Sequence, residues 1–181
     1  MPKELFTISH YPSPIGNLTI VTGPAGLCRL SFPGEAPGTT PSYLAQKSRG
    51  ATINVDENGS SCREVLRQLD EYFDGRRFSF SLRLDLRGTP FQLAVWSALQ
   101  KIPYGTTCSY SHIARVIGRP GAVRAVGQAI GRNPVGIIIP CHRVIGKDGR
   151  LVGFLGGLAT KEWLLNFEKG NLKTNQTSTG R

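Results

Sequence analysis

The chain has 181 residues, 39% of them hydrophobic and 19% charged, a composition that supports a packed core and argues against disorder. Net charge is +10 and unevenly placed: residues 1–88 carry ten Lys/Arg against nine Asp/Glu, whereas residues 89–169 carry ten against three. A basic half beside a neutral half predicts a polyanion-facing unit joined to a scaffold unit. Apolar runs stay shorter than the ~18 residues of a membrane span, and the first twenty residues lack the features of a secretory signal. Cys28, Cys62, Cys108 and Cys141 form no C-x-x-C pair, which argues against a zinc finger or a disulfide framework and fits a reducing interior. His10, His112 and His142 are too scattered for a familiar metal site. The expectation is a soluble, cytoplasmic protein with no metal, no cofactor and no membrane partner.

In chain order, Leu18–Thr22 and Leu27–Phe32 are β-rich runs flanking Gly23-Pro24-Ala25-Gly26, and predict two strands joined by a turn. Residues 33–60 are rich in Pro, Gly, Ser and Thr and predict a long irregular connection. Ser61-Cys62-Arg63-Glu64 has the form of a capping box. Val65, Leu66, Leu69, Tyr72 and Phe73 follow at helical spacing, with Gly75 able to end the helix. Phe78–Leu86 alternates apolar and polar residues and predicts a half-buried strand.

After Gly88 the pattern becomes helical. Thr89-Pro90 supplies an N-cap and a first-position proline, Phe91, Val95, Trp96 and Leu99 line one face, and Ile102-Pro103 stops the helix. Ser109 caps a second helix through Ile117, closed by Gly118; Val123, Val126, Ala129 and Ile130 mark a third, ending at Gly131. Two short helices around Gly118-Arg119-Pro120-Gly121 form a helix-turn-helix candidate. A plain αα-hairpin fits the same spacing, but Gly121, Ala122, Ala125, Gly127 and Ala129 would allow close approach to another surface. Residues 1–87 thus read as a small α/β scaffold, residues 88–169 as a helical functional unit, and the polar tail 170–181 as disordered.

The segment Asn133–Val144 delivers Cys141 from an apolar run of strand character, between Pro140 and His142. A lone cysteine is by default a small buried hydrophobe. Here His142 and Arg143 can both favour a thiolate, against a free thiol pKa of about 8.5. Cys141 is therefore a nucleophile candidate, and on the residues alone a cysteine hydrolase stays open.

Pro140-Cys141-His142-Arg143-Val144 resembles the active-site signature of the O6-alkylguanine-DNA alkyltransferases, which transfer an alkyl group from damaged guanine to their own cysteine. Gly88–Gln92 with Val95-Trp96, Ile102–Gly105, Ser109-Tyr110, Arg124–Gly127, Asn133-Pro134, Gly156-Gly157 and Lys161–Leu165 follow in that family's order. The likeness is dense over residues 88–168 and loose over 1–87.

What the resemblance implies is an α+β protein: a ribonuclease-H-like α/β domain followed by a mostly helical domain with a helix-turn-helix. Cys141 would accept the alkyl group, His142 would take the thiol proton through a water, and Glu168 would hold that imidazole. Asn133 would brace the turn before the site, and Tyr110 would hydrogen-bond the departing guanine. Arg124 would fill the gap left by an extruded base, on a helix whose small residues Gly121, Ala122, Ala125 and Gly127 suit the minor groove. Gly136, Val144, Phe154 and Leu155 would line the alkyl pocket. The partner would be duplex DNA carrying O6-alkylguanine, with O4-alkylthymine left open, and the protein would act as a monomer and only once. A lesion-sensing regulator without transfer is the rival reading; relatives of that kind lack the acceptor cysteine. Phe154 stands where many relatives have Tyr, Leu155 where a smaller residue is common, and Gly136 where mammalian relatives tend to have Pro. These departures predict repair of methyl adducts but poor reaction with free benzylguanine.

Overall fold

The computed structural model describes residues 4–35, 52–57 and 59–178. The chain divides into two units, Met1–Arg87 with Pro134–Gly136, and Gly88–Asn133 with Ile137–Arg181. Among the described residues no helix is long and apolar enough to cross a membrane.

In the first unit four strands, β1 (Leu5–Ser13), β2 (Gly16–Gly23), β3 (Gly26–Ser31) and β4 (Thr52–Val55), form one sheet in the order β3-β2-β1-β4. Neighbours β1/β2 and β2/β3 are antiparallel hairpins, while β4 runs parallel to β1. The expected pair corresponds to β2 and β3. β1 escapes the pattern because its buried positions, Phe6, Ser9 and Tyr11, do not alternate strictly. β4 interrupts the expected irregular connection: it is a four-residue edge strand with every residue exposed, and its short Thr-Ile-Asn-Val alternation is too brief to stand out from the surrounding polar stretch. The rest of that connection, residues 36–51, lies outside the described residues.

Helix α1 (Arg63–Phe73) packs Val65, Leu69 and Tyr72 inward, and Tyr11 Oη donates to Asp70 Oδ1 at 2.8 Å, tying sheet to helix. Its start differs from the expected capping box. A 3₁₀ turn at Ser60–Cys62 precedes it, and the Asp56 carboxylate takes the Ser61 N–H at 2.7 Å. Glu64 instead bonds Arg67 and Gln68. The expected strand over 78–86 is reduced to a single bridge, Leu27–Leu84. The Gln68 side chain satisfies the peptide groups of Ser81, accepting its N–H at 2.9 Å, which removes them from strand pairing.

In the second unit α2 (Pro90–Leu99) starts as expected, with Thr89 and Gln92 forming a reciprocal capping box and Pro90 at its first turn. Strand β5 (Cys108–Ser109) leads into α3 (Tyr110–Val116), capped by Ser109, and α4 (Val123–Ile130) follows after the turn. Val95, Trp96, Leu99, Ile113, Ala114, Val126 and Ile130 are buried, and Trp96 Nε1 donates to Ala129 O at 2.9 Å, locking α2 to α4. A 3₁₀ turn at Cys141–Arg143, strand β6 (Val144–Ile145), paired parallel to β5, and the last helix α5 (Leu158–Ser178) complete the unit.

Helix α5 continues through part of the tail expected to be disordered. Asn171 Nδ2 donates to Tyr104 Oη at 2.9 Å. Leu172 packs so closely on Gly105 that a Cβ there would lie 2.3 Å from Leu172 Cδ1.

Candidate active site

The expected strand before Cys141 is a buried turn. Ile137 sits at φ 67°, an uncommon and costly conformation for a β-branched residue. Asn133 explains how the turn holds: its Nδ2 donates to Ile139 O at 2.8 Å, and Cys141 N donates to the same carbonyl at 2.8 Å. Asn133 is thus placed to brace the segment. The chain then enters the 3₁₀ turn that carries Cys141, His142 and Arg143, all buried.

His142 and Glu168 are both fully buried, with His142 Nε2 2.8 Å from Glu168 Oε1. A carboxylate can only accept, so Nε2 carries the proton and donates. Its other ring nitrogen, Nδ1, has no hydrogen-bond partner among the described residues. Burial holds the His142 pKa below the ordinary imidazole value, against the pull of Glu168. A neutral imidazole with an open Nδ1 lone pair is a base in waiting. Burial pushes Glu168 up, but its bonds to His142 and Arg143 outweigh that and hold the carboxylate well below its usual range.

Arg143, expected to favour the thiolate, directs its guanidinium at Glu168: Nε donates to Oε2 and Nη2 to Oε1, each at 2.9 Å. Cys141 is 7% exposed, and burial pushes its thiol up. The Asn133 side chain, the charge of Lys161 and the N–H groups of residues 141 and 142 pull it back. Sequence reasoning gave Lys161 no role of its own. It is fully buried, and its Nζ donates to Val144 O at 2.7 Å and Val152 O at 2.9 Å. The signal was available, because residues 161, 164, 165 and 168 share the buried stripe of α5, where two charged side chains are out of pattern.

Two family models match in succession: the 6-O-methylguanine DNA methyltransferase ribonuclease-like domain over residues 7–86, and the DNA-binding domain of the same family over 90–170. The chain belongs to the 6-O-methylguanine DNA methyltransferase family. It is 54% identical over 171 residues to a methylated-DNA–protein-cysteine methyltransferase of Mycobacterium bovis, spanning 93% of this chain and 97% of that one. A protein of the same name from Methanosarcina barkeri is 48% identical over 163 residues, 89% of this chain and 96% of the relative. Among solved structures, Mycobacterium tuberculosis OGT in complex with DNA has a TM-score of 0.79 at 42% identity, covering 91% of this chain and 94% of that one. Membership makes the protein an α+β DNA-repair methyltransferase that binds DNA.

The residues expected to face DNA in this methyltransferase divide. Arg124, Gly121 and Ala125 are exposed, Ala122 is half-buried, and Gly127 faces inward, 3.8 Å from the Tyr110 ring when given a Cβ. Tyr110 is half-buried and its hydroxyl donates to Val152 O at 3.0 Å, the carbonyl that Lys161 also reaches. Of the expected pocket residues, Leu155 is exposed, Phe154 half-buried and Val144 fully buried. Gly136 belongs to the first unit, with its N–H donating to Leu30 O at 3.3 Å. A Cβ there would lie 2.3 Å from Phe32, so that ring fixes a glycine at this position. Among the described residues no group of three His, Cys, Asp or Glu could hold a metal ion.

Proposed function

We propose that the protein repairs O6-alkylguanine by irreversible transfer of the alkyl group to Cys141. The lesion leaves the base stack, because a nucleophile cannot reach its target carbon inside a duplex. Arg124, exposed on the helix-turn-helix, enters the space left behind. Cys141 Sγ attacks the carbon bonded to guanine O6. The S–C bond forms, the C–O bond breaks and its electron pair leaves with the guanine. The thiol proton passes through a water to His142 Nδ1 and onward to the leaving base. Tyr110 exchanges its bond to Val152 O for one to the guanine, offsetting negative charge as the base departs. The product is a thioether, which thiol exchange does not cleave, so each molecule acts once.

The observation that supports this reading most is the buried His142–Glu168 pair with an open Nδ1, in the residue following a buried thiol. The test is incubation with a duplex carrying a single O6-methylguanine, followed by intact-mass and peptide analysis. One methyl group on Cys141 and unmodified guanine in the DNA are expected, with O4-methylthymine as a second substrate arm. Binding without mass change would favour a lesion sensor, and transfer persisting in Cys141→Ala would overturn the assignment.

A further inference from the structure

We propose that Arg143 is the counter-ion of Glu168, held there by the loop 102–105 and by Asn171, and that this neutralisation keeps the His142 Nδ1 lone pair free to receive a proton. The inference rests on the reading of His142 as the proton acceptor for Cys141.

Glu168 accepts from four N–H groups: His142 Nε2, Gly105 N at 2.9 Å, and two from the one guanidinium of Arg143. A bidentate guanidinium balances the carboxylate charge directly. A lone buried carboxylate beside an imidazole favours its protonation. Here the charged groups facing His142 are Glu168 and Lys161 from α5 and Arg143 from its own turn, one anion against two cations, with the neutral Cys141 thiol beside them. That balance disfavours a third cation. Protonation in advance of reaction, which would close Nδ1, is opposed.

The guanidinium is itself positioned from outside the cluster. Arg143 Nη1 donates to Ile102 O at 2.7 Å, and the guanidinium lies over the Tyr104 ring, 5.5 Å from its centroid. Tyr104 Oη in turn accepts from Asn171 Nδ2 at 2.9 Å, three residues beyond Glu168 on α5. Leu172, on the same turn of α5, covers Gly105, whose N–H completes the carboxylate's shell. Tyr104 and Asn171 are therefore positioning residues that act through Arg143.

The test follows the His142 ring by NMR through a pH titration of the full chain, in parallel with the pH dependence of single-turnover transfer from a methylated duplex. In Arg143→Gln the His142–Glu168 pair should take up its proton at least about one pH unit higher than in wild type. A proton taken up by the imidazole occupies Nδ1, the one ring nitrogen without a partner, so the acid limb of the rate profile should move by the same amount as the ring titration. Tyr104→Leu keeps the cation but removes its platform, and should shift both measurements in the same direction by less. Tyr104→Phe keeps the ring but loses the Asn171 bond, and should shift both measurements by less than Tyr104→Leu does. If Arg143→Gln fails to fold, Tyr104→Leu decides. An unmoved titration with rates lowered equally at every pH would make Arg143 a merely structural residue and overturn the proposal. A shifted titration in a chain that transfers nothing to Cys141 would uphold the counter-ion role while removing the function assigned to the thiol.

Discussion

Two buried thiols, one in each unit, show what a cysteine needs beyond burial. Cys28 lies on β3, 1% exposed, with Sγ 3.4 Å from Gly26 O and 3.7 Å from Asp85 Oδ2. Burial and the Asp85 carboxylate raise its pKa to about 12, against the opposing pull of the Arg87 guanidinium. Cys141 is nearly as buried, and burial raises it too, but an amide, a lysine and backbone N–H groups oppose the rise. At Cys28 the nearest carboxylate adds to the effect of burial, whereas at Cys141 every neighbour named opposes it. A base with an open nitrogen adjoins only Cys141 in sequence. In the proposed transfer, burial at Cys141 would serve chemistry, since a desolvated sulfur anion is a stronger nucleophile once the proton has somewhere to go.

The largest effect expected from breaking this contrast is all-or-none. Cys141→Ala should abolish transfer to protein from a methylated duplex, while Cys28→Ala should leave the transfer rate within about twofold and cost only the ~1 kcal/mol typical of a small core deletion. Mass spectrometry after reaction and a urea titration measure the two. Alkyl transfer to Cys28 in the Cys141→Ala chain would show that neighbours do not decide.

Glu168→Gln comes next. It removes the anion that pairs with Arg143 and holds His142, and breaking a buried pair from one side costs about 3–5 kcal/mol. Chemical denaturation should show that loss at neutral pH, together with slower transfer. The sign with pH follows from the depressed carboxylate: the stability it contributes is fully present above its unfolded pKa of about 4.3 and fades as pH falls towards about 2. Wild type and Glu168→Gln should therefore converge in stability across that window. A constant gap down to the lower limit would mean that the carboxylate charge is not what stabilises the cluster.

How much of this was legible in the sequence depends on how local each cause is. Thr89-Pro90 and Ser109 announced α2 and α3 because a cap is settled by residues two or three apart. The strand before Cys141 was misread because apolar, β-branched residues ordinarily extend, and the fold of the turn is imposed by Asn133 reaching six residues on to Ile139 O. Residues 78–86 were misread for a similar reason, since Gln68 supplies the bonds from 13 residues away. At the site, the resemblance pointed to Cys141, His142 and Glu168, and the fold does bring His142 and Glu168 into hydrogen-bond contact. Arg143 was assigned to the thiol, and its engagement with Glu168 depends on a loop and a helix 41 and 25 residues distant. Gly136 was assigned to the pocket through the resemblance alone, and the neighbours found for it are Phe32 and Leu30 of the first unit, too far along the chain to be read from sequence.

A smaller effect is expected where recognition, not chemistry, is altered. Arg124 is exposed, so its removal should leave the Cys141 cluster intact. Arg124→Ala should slow repair in duplex DNA about tenfold, the equivalent of ~1.4 kcal/mol from the few kcal/mol that base extrusion costs. Reaction with a free alkylguanine base, which needs no extrusion, should change by less than about twofold. Equal losses on both substrates would show that Arg124 acts on the thiol's surroundings, which would blur the contrast between Cys141 and Cys28.

The smallest expected effect concerns alkyl size in the proposed transfer to Cys141. Substitution at Gly136 cannot report on alkyl size, because a proline there would meet Phe32 and lose the N–H bond to Leu30, perturbing the first unit whatever the pocket does. Leu155 and Phe154 remain, on the loop whose Val152 carbonyl is held by both Tyr110 and Lys161. That double tether fixes the loop at one point while Leu155 stays 50% exposed, so its side chain can be trimmed without opening a core cavity. If Leu155 narrows the entrance, Leu155→Ser should raise transfer from free O6-benzylguanine relative to O6-methylguanine by about three- to tenfold, in the range expected for adding or removing a few methylenes in an apolar pocket. Methyl transfer itself should hardly change, since a methyl group does not reach the rim. Measuring the ratio of the two rates cancels any general loss of activity. An unchanged ratio would place the limit on alkyl size in residues other than Leu155, and Phe154→Tyr, which adds only a hydroxyl to a half-buried ring, would be the next substitution to measure.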